Sequence, residues 1–235
     1  MISFIIPAWK SNKFIEECLD SIQNQEAFKK HEVKYEILVG VDNCSETKEK
    51  LIQIKDKYKN LKIYWSAENK GPYIIKNSLV RKSSGDKLFF FDSDDILTND
   101  AMSIITADGG NSEMVRFHFK NFKDGDRNTL NPSKRVAIGV FVISRSLFDK
   151  IGGFQNWLCE ADADFFRRCK KNEIEFHEIK KELFHRRMHS TQLTSIYKLG
   201  KNKSKTREGY LQLSGEERYS WDIPLQAVET DLEEI

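Results

Sequence analysis

At 235 residues, with 39% hydrophobic and 11% aromatic side chains, the chain is long enough to bury a large core and too apolar for a disordered polymer. A formal charge of +2 excludes a uniformly basic nucleic-acid binder, yet residues 180–207 hold nine Lys or Arg against Glu182 alone, and residues 208–235 hold eight Asp or Glu against Arg218 alone. Cys18, Cys44, Cys159 and Cys169 form no C-x-x-C pair, which indicates neither a zinc site nor a disulfide framework, and no stretch approaches the ~18 apolar residues of a membrane span.

Residues 2–6, Ile-Ser-Phe-Ile-Ile, read as a first buried strand stopped by Pro7. Phe14, Ile15, Cys18, Leu19 and Ile22 then recur at helical spacing. Residues 36–41 form a second strand ending in Asp42-Asn43-Cys44-Ser45, with Ser45 placed to cap a helix carrying Leu51, Ile52 and Tyr58. A third strand, 61–65, leads to Asn69-Lys70-Gly71-Pro72, which opens a helix through Ile75 and Leu79 that stops at Gly85. The fourth strand, Leu88-Phe89-Phe90-Phe91, is apolar on both faces and is followed at once by Asp92-Ser93-Asp94-Asp95.

Strands alternating with helices at this spacing predict an α/β fold with a doubly wound, mostly parallel sheet. On such a sheet Asp42 and Asp92 share the carboxyl edge, where ligands bind and where carboxylates can ligate a hard divalent cation such as Mn²⁺ or Mg²⁺. The alternative is a solvated acidic turn in which Asp94 or Asp95 caps the next helix. No G-x-G-x-x-G or Walker A loop is present, which disfavours a dinucleotide fold or a P-loop enzyme.

After Asp95 the pattern predicts a helix at 101–105, a strand at 113–119, a polar loop at 121–133, an apolar strand at 136–143 and a helix at 145–151 ended by Gly152-Gly153. A loop over 154–160, a helix over 162–171 with Phe165 and Cys169 on one face, and a closing strand over 174–179 follow. His185-Arg186-Arg187-Met188-His189 comes next, and no core element is predicted beyond Tyr197.

Taken in order over residues 1–195, these pieces resemble the family 2 glycosyltransferases of the GT-A fold. The resemblance rests on Ile5-Ile6-Pro7-Ala8, Val41-Asp42-Asn43-Cys44-Ser45, Asn69-Lys70-Gly71-Pro72 with Lys76-Asn77, and Gly85-Asp86-Lys87 through Asp95. Ile151-Gly152-Gly153-Phe154, Ala161-Asp162-Ala163-Asp164 and Arg187-Met188-His189-Ser190 complete it. It implies a nucleotide-sugar-binding half at 1–96, an acceptor-binding half at 97–195 and a basic-then-acidic arm at 196–235. Two departures stand out: Asn43 and Cys44 where the family commonly has an acid and a glycine, and Ala161-Asp162 where it has Glu-Asp, with Glu160 one position earlier.

The resemblance also implies roles. Pro7, Ala8 and Trp9 would shape the base pocket, Asp42 would accept from the uracil imino group, and Asn69, Gly71, Lys76 and Ser93 would line the nucleotide-sugar site. Asp94 would ligate Mn²⁺ or Mg²⁺ directly, Asp92 would serve the ribose and the metal shell, and His189 would complete the metal or diphosphate site. Asp162 would be the general base that takes the acceptor proton, with Glu160, Asp164 and Trp157 on the acceptor side.

The expected activity is thus a metal-dependent, inverting transfer of a hexosyl, N-acetylhexosaminyl or pentosyl group from a nucleotide diphosphate, UDP foremost. A glycan or lipid-linked glycan is the expected acceptor, and the protein is expected to be soluble and cytoplasmic, with the basic belt able to lie against anionic lipid at the inner face of the membrane. An alternative acceptor is modified phage DNA, gripped by the belt with Tyr197 and Tyr210. From another class come a non-catalytic nucleotide-sugar-binding module and a nucleotidyltransferase; the latter is disfavoured because residues 7–12 hold no glycine-rich basic loop.

Overall fold

The structure is a computed structural model that describes residues 1–30, 33–133, 136–193 and 227–235. Strand β1 (Ile2–Ala8) is followed by helices α1 (Ile15–Gln23) and α2 (Glu26–Lys29), then β2 (Tyr35–Asp42), α3 (Ser45–Ile54), β3 (Leu61–Ser66), α4 (Pro72–Lys82) and β4 (Lys87–Phe90). The second half runs β5 (Ile96–Leu97), α5 (Ala101–Gly109), β6 (Met114–Lys123), β7 (Asp126–Pro132), β8 (Phe141–Ser144), α6 (Arg145–Ile151), α7 (Ala161–Lys171) and β9 (His177–Met188), and β10 (Glu233–Glu234) ends it.

Among the described residues these strands form one sheet in the order β10-β3-β2-β1-β4-β8-β6-β9-β5, with β7 paired to β6. The parallel block β3-β2-β1-β4 is the α/β unit that the strand–helix alternation predicts. The chain winds outward from β1 to β3 and returns to β4 on the other side of β1, so the strand order reverses there and a crevice opens at the carboxyl ends.

Side chains alternate across the sheet. Phe4, Ile6, Phe89 and Phe91 pack against α1, α2, α3 and α5 on one face, while Ile5, Leu88 and Phe90 pack against α4, α6 and α7 on the other. Leu88, Phe89, Phe90 and Phe91 are all fully buried, as a strand covered on both faces requires. Phe4 stacks on Phe89 at 4.8 Å between ring centroids, which ties the two central strands together.

Several boundaries differ from the pattern. The expected polar loop at 121–133 is a hairpin, β6 and β7, turning at Gly125 with φ 79°. The expected strand at 136–143 narrows to β8, because residues 136–140 bend across the crevice rather than join the ladder. The closing strand expected at 174–179 begins at His177 and runs on to Met188, with extra residues relative to β6 between Ile179 and Phe184 that bend it. Ser45 opens α3 without capping it, and neither Asp94 nor Asp95 caps a helix, since α5 starts behind Asp100.

The arm expected at 196–235 also changes in part. Residues 194–226 lie outside the described residues, but β10 pairs antiparallel with β3, Leu232 enters the core, and the Thr230 N–H donates to Ser78 Oγ at 2.8 Å.

One buried acid belongs to the fold alone. Glu36 on β2, 5% exposed, accepts from Ser3 Oγ at 2.7 Å, Ser84 N–H at 2.6 Å, Ser84 Oγ at 3.0 Å and Lys62 Nζ at 2.9 Å. Burial works to raise its pKa, but those donors outweigh it and bring the carboxyl from 4.5 to about 2. A depressed pKa contributes stability that is present above 4.5 and lost as pH falls toward 2. The unfolding free energy should therefore fall by about 2–3 kcal/mol across that window, and in Glu36→Gln most of that pH dependence should vanish in denaturant titrations run at pH steps.

Candidate active site

A cleft of about 680 Å³ lies at the carboxyl edge of the parallel block. Of the residues singled out in the sequence, Pro7, Ala8, Trp9, Asp42, Asn69, Gly71, Lys76, Asp92, Ser93, Asp94, Glu160, Asp162 and His189 line it. Strand ends β1, β2 and β4 supply Pro7 to Trp9, Asp42 and the Asp92–Asp95 loop; α4 supplies Lys76, α7 supplies Asp162 and β9 leads into His189.

Asp42 is 3% exposed, and its carboxylate accepts the Lys70 N–H at 2.7 Å and the Gly71 N–H at 2.9 Å. Asn69 Nδ2 donates to the Asp42 carbonyl at 3.1 Å, so one acid folds the whole 69–71 turn onto the end of β2. Gly71 precedes Pro72 at the first turn of α4 with φ 90°, and a Cβ there would stand 2.4 Å from Leu158 Cδ2, so only glycine fits. Burial raises the Asp42 pKa, and the two loop N–H groups oppose that shift.

The Asp92–Asp95 loop is held from below by Arg187. That side chain is 5% exposed and donates from Nε to the Asp94 carbonyl at 2.9 Å and from Nη1 to Asp124 at 2.8 Å, with Nη2 on Glu17. Its guanidinium lies between the rings of Phe14 and Phe122, 4.9 Å and 4.7 Å from their centroids. The Arg187 N–H also donates to Asp95 Oδ1 at 2.9 Å. Burial drives the Asp95 pKa well above the carboxylate range, with Asp94 and Asp92 adding to the effect. Asp95 therefore faces inward as a loop anchor, while Asp94 Oδ2 meets His189 Nε2 at 2.9 Å in the cleft. The other ring nitrogen of His189 bonds Thr191 Oγ1 at 2.8 Å, and Ser93 bonds Ser11 at 2.7 Å between hydroxyls.

Across the cleft, Asp162 sits in the first turn of α7 and accepts the Ala163 N–H at 2.8 Å and the Tyr73 hydroxyl. Burial raises its pKa, and the nearby Lys76 ammonium pulls the other way. Lys76, 3% exposed, donates to Asp92 Oδ1 at 3.1 Å and lies 5.6 Å from the Tyr73 ring centroid. The result is a buried ammonium between two carboxylates on opposite walls.

Two predicted acceptor-side residues are placed elsewhere. Asp164 turns away from the cleft and binds Arg168 Nε at 2.9 Å, while the same guanidinium donates to the Ile151 and Gly153 carbonyls, each at 2.6 Å; Asp164 is a structural acid. Trp157 is 6% exposed and belongs to the core beneath α7. Tyr73 and Arg187 contact the site but receive no role in the motif reading: nothing in the sequence pairs Tyr73 with Asp162, and Arg187 enters only as a neighbour of His189 and a member of the basic belt. The belt beyond Leu193 lies outside the described residues.

Comparison with known proteins agrees with this architecture. The family model described as glycosyl transferase family 2 matches residues 3–152. A poly(ribitol-phosphate) beta-glucosyltransferase of Bacillus spizizenii is 33% identical over 103 residues, 43% of this chain and 16% of that protein, so the chain spans only a fraction of that relative. The crystal structure of Staphylococcus aureus TarS residues 1–349 with UDP-GlcNAc superimposes with TM-score 0.67 at 20% identity, covering 83% of this chain and 60% of that one. A mannosyltransferase of Pyrobaculum calidifontis, in complex with GDP-Man and Mn²⁺, gives TM-score 0.68 at 12% identity over 92% of this chain and 64% of that one. At those identities the likeness establishes the fold, the GT-A arrangement.

Arg187 is the member of the site whose loss is read most directly in stability. Arg187→Ala leaves Asp124 without its cation, Glu17 with Arg127 alone and the Asp94 carbonyl without its donor, and should lower the unfolding free energy by roughly 3 kcal/mol in denaturant titrations, with Arg187→Lys between the two because an ammonium cannot reproduce the fork.

Proposed function

The chain belongs to glycosyl transferase family 2, and from that premise we propose that it transfers a sugar from a nucleoside diphosphate donor to an acceptor hydroxyl, with inversion at the anomeric carbon. The observation that supports this most is the convergence, in one cleft, of a carboxylate–imidazole pair on one wall and the half-buried Asp162 carboxylate on the other. A UDP-sugar is the favoured donor, since TarS was solved with UDP-GlcNAc. A surface polymer or lipid-linked glycan is the favoured acceptor, since a relative acts on poly(ribitol phosphate). The names of the relative and of the two solved structures give the nucleic-acid acceptor no support.

In this reading the base lies against Pro7, Ala8 and Trp9 beside Asp42, and Asn69 and Gly71 close the turn around it. Asp94 and His189 are the residues that would hold a divalent cation. Their donor atoms already face each other at 2.9 Å, and a carboxylate with an imidazole suits Mn²⁺ better than Mg²⁺, which prefers oxygen ligands alone. Among the described residues no group of three His, Cys, Asp or Glu is arranged to hold a metal, so diphosphate oxygens and water would complete the coordination, as is usual for Mg²⁺. When bound, such an ion neutralises charge on the departing diphosphate. Thr191 orients the imidazole so that Nε2 faces Asp94.

Lys76 holds Asp92 in place for contacts to the ribose or sugar hydroxyls. Asp162 takes the proton from the acceptor hydroxyl as its oxygen attacks, and Tyr73 and the Ala163 N–H fix the carboxylate for that step. Glu160, exposed at the mouth of the cleft, contacts the acceptor. No helix among the described residues is long and apolar enough to cross a membrane.

Asp162→Asn should lower kcat by roughly a hundredfold or more while leaving the donor KM within twofold, measured as nucleoside diphosphate release from a panel of sugar nucleotides. Because only the ionised base works, kcat/KM should fall as pH drops through the raised Asp162 pKa. Lys76→Met removes the cation that opposes that shift, so the acid limb of the profile should move to higher pH. Asp94→Ala should abolish Mn²⁺-stimulated turnover and leave the melting temperature within a few degrees of wild type; full turnover in this variant would remove Asp94 from the metal site.

A further inference from the structure

Gly139 lies on the segment that crosses the cleft between β7 and β8. Ala137 and Val140 on either side of it are buried at 6% and 3% exposure, and the Ala137 N–H donates to the Phe117 carbonyl at 3.4 Å. The segment is therefore pinned on both sides of the glycine. A Cβ at position 139 would stand 3.3 Å from Asp162 Oδ2 and 3.5 Å from Asp92 Oδ2, and among the described residues would meet no further atom within 4 Å beyond its chain neighbours. The absent side chain leaves a gap between the acid of one wall and the acid of the other.

The second oxygens of those acids are already engaged: Asp92 Oδ1 with Lys76 at 3.1 Å, and Asp162 Oδ1 with the Ala163 N–H at 2.8 Å. What faces the gap is the Oδ2 oxygen of each acid, with the Tyr73 hydroxyl also beside Asp162. Such a boundary repels an anionic group and finds in an apolar one no partner for its charge. It suits a group that presents hydrogen-bond donors, such as the hydroxyls of a sugar or the N–H of an acetamido substituent.

We propose that the gap over Gly139 is the subsite for a hydroxyl-bearing edge of the transferred sugar, and that Gly139 is the specificity-determining residue that sets how large that edge can be. The inference rests on the sugar-transfer reading of the cleft and adds to it the residue that limits the donor. Gly139 is not among the residues in the left-handed backbone region, so alanine adopts its conformation without strain and the added methyl acts as a local steric probe.

The experiment compares wild type with Gly139→Ala and Gly139→Val, using calorimetric affinity for UDP and for UDP-glucose and UDP-GlcNAc, together with kcat/KM for UDP release. Gly139→Ala should keep its UDP affinity within twofold of wild type and lose about tenfold or more in affinity and kcat/KM for the full-sized sugar nucleotides, with Gly139→Val losing more. Across a series of donors in which single sugar hydroxyls are replaced by hydrogen, the loss should shrink for the donor lacking the hydroxyl that enters the gap. Wild-type kcat/KM in Gly139→Ala, an equal loss of UDP affinity, or the same penalty for every deoxy donor would each overturn the subsite while leaving the transfer reading intact. A wild-type protein that binds UDP but no sugar nucleotide more tightly, and releases no UDP, would overturn the transfer reading and the subsite together.

Discussion

Taking a carboxyl group out of water costs more than almost any other side-chain burial, and this structure does it fully for Asp42 and Asp95 at one sheet edge and in part for Asp162 across the cleft. Each acid is made tolerable by a donor that the fold holds rigid: the Lys70 and Gly71 N–H groups for Asp42, the Arg187 N–H for Asp95, and the Ala163 N–H, Tyr73 and the Lys76 ammonium for Asp162. The two cations are themselves buried, Lys76 at 3% and Arg187 at 5% exposure, and neither would sit there without its carboxylates. Oppositely charged groups thus hold each other in a place where neither is stable alone. A ligand entering the cleft meets dipoles and charges that are already oriented, so little reorganisation remains to be done when the reaction begins.

The strands that define the sheet were readable because burial writes itself into residue type. Leu88 to Phe91, apolar without a break, had to be covered on both faces, and the acids behind it had to lie at the carboxyl edge. The hairpin of β6 and β7 was hidden because its second strand is exposed almost throughout, so pairing rather than burial defines it, and its polar composition resembles a loop. Asp124-Gly125 was the available signal, a turn pair set between two extended segments. Strand β9 was read too short because Lys180, Lys181, Arg186 and Arg187 mask its alternation. Only the contacts show that Arg187 turns inward between Phe14 and Phe122 while its neighbour Arg186 lines the cleft. The pairing of β10 to β3 uses two glutamates at a sheet edge, and no pattern in an acidic tail announces that.

The site shows the same division. Asp92, Asp94, His189 and Asp162 follow from motif order, whereas the choice between Asp162 and Asp164 depends on helix geometry. Residues two apart on a helix are separated by roughly 200° around the axis, so only one of the pair can face the cleft. Phe165 and Phe166, both buried, orient α7 so that Asp164 meets Arg168 and the carbonyls at the end of α6, and Asp162 is left on the open side. Tyr73 and Gly139 were beyond reach of the sequence for a different reason. One matters through a contact between elements far apart in the chain, the other through the side chain it lacks.

Those contacts also explain how an acid on one helix can be held in register with a lysine on another. Asp164 binds Arg168; Arg168 binds the Ile151 and Gly153 carbonyls; and Asn77 on α4 clamps the next residue, donating to the Phe154 carbonyl at 2.9 Å and accepting its N–H at 3.0 Å. Lys76 and Tyr73 stand on that same helix. Asp162, the Tyr73 hydroxyl beside it and the Lys76 ammonium that moderates its charge therefore stand on helices tied together by buried polar contacts rather than on loops. Transfer chemistry is sensitive to misplacement on the order of 1 Å. A frame of this kind supplies that tolerance, and it gives Asp164 and Asn77, which do not line the cleft, a direct bearing on where the Asp162 carboxylate lies.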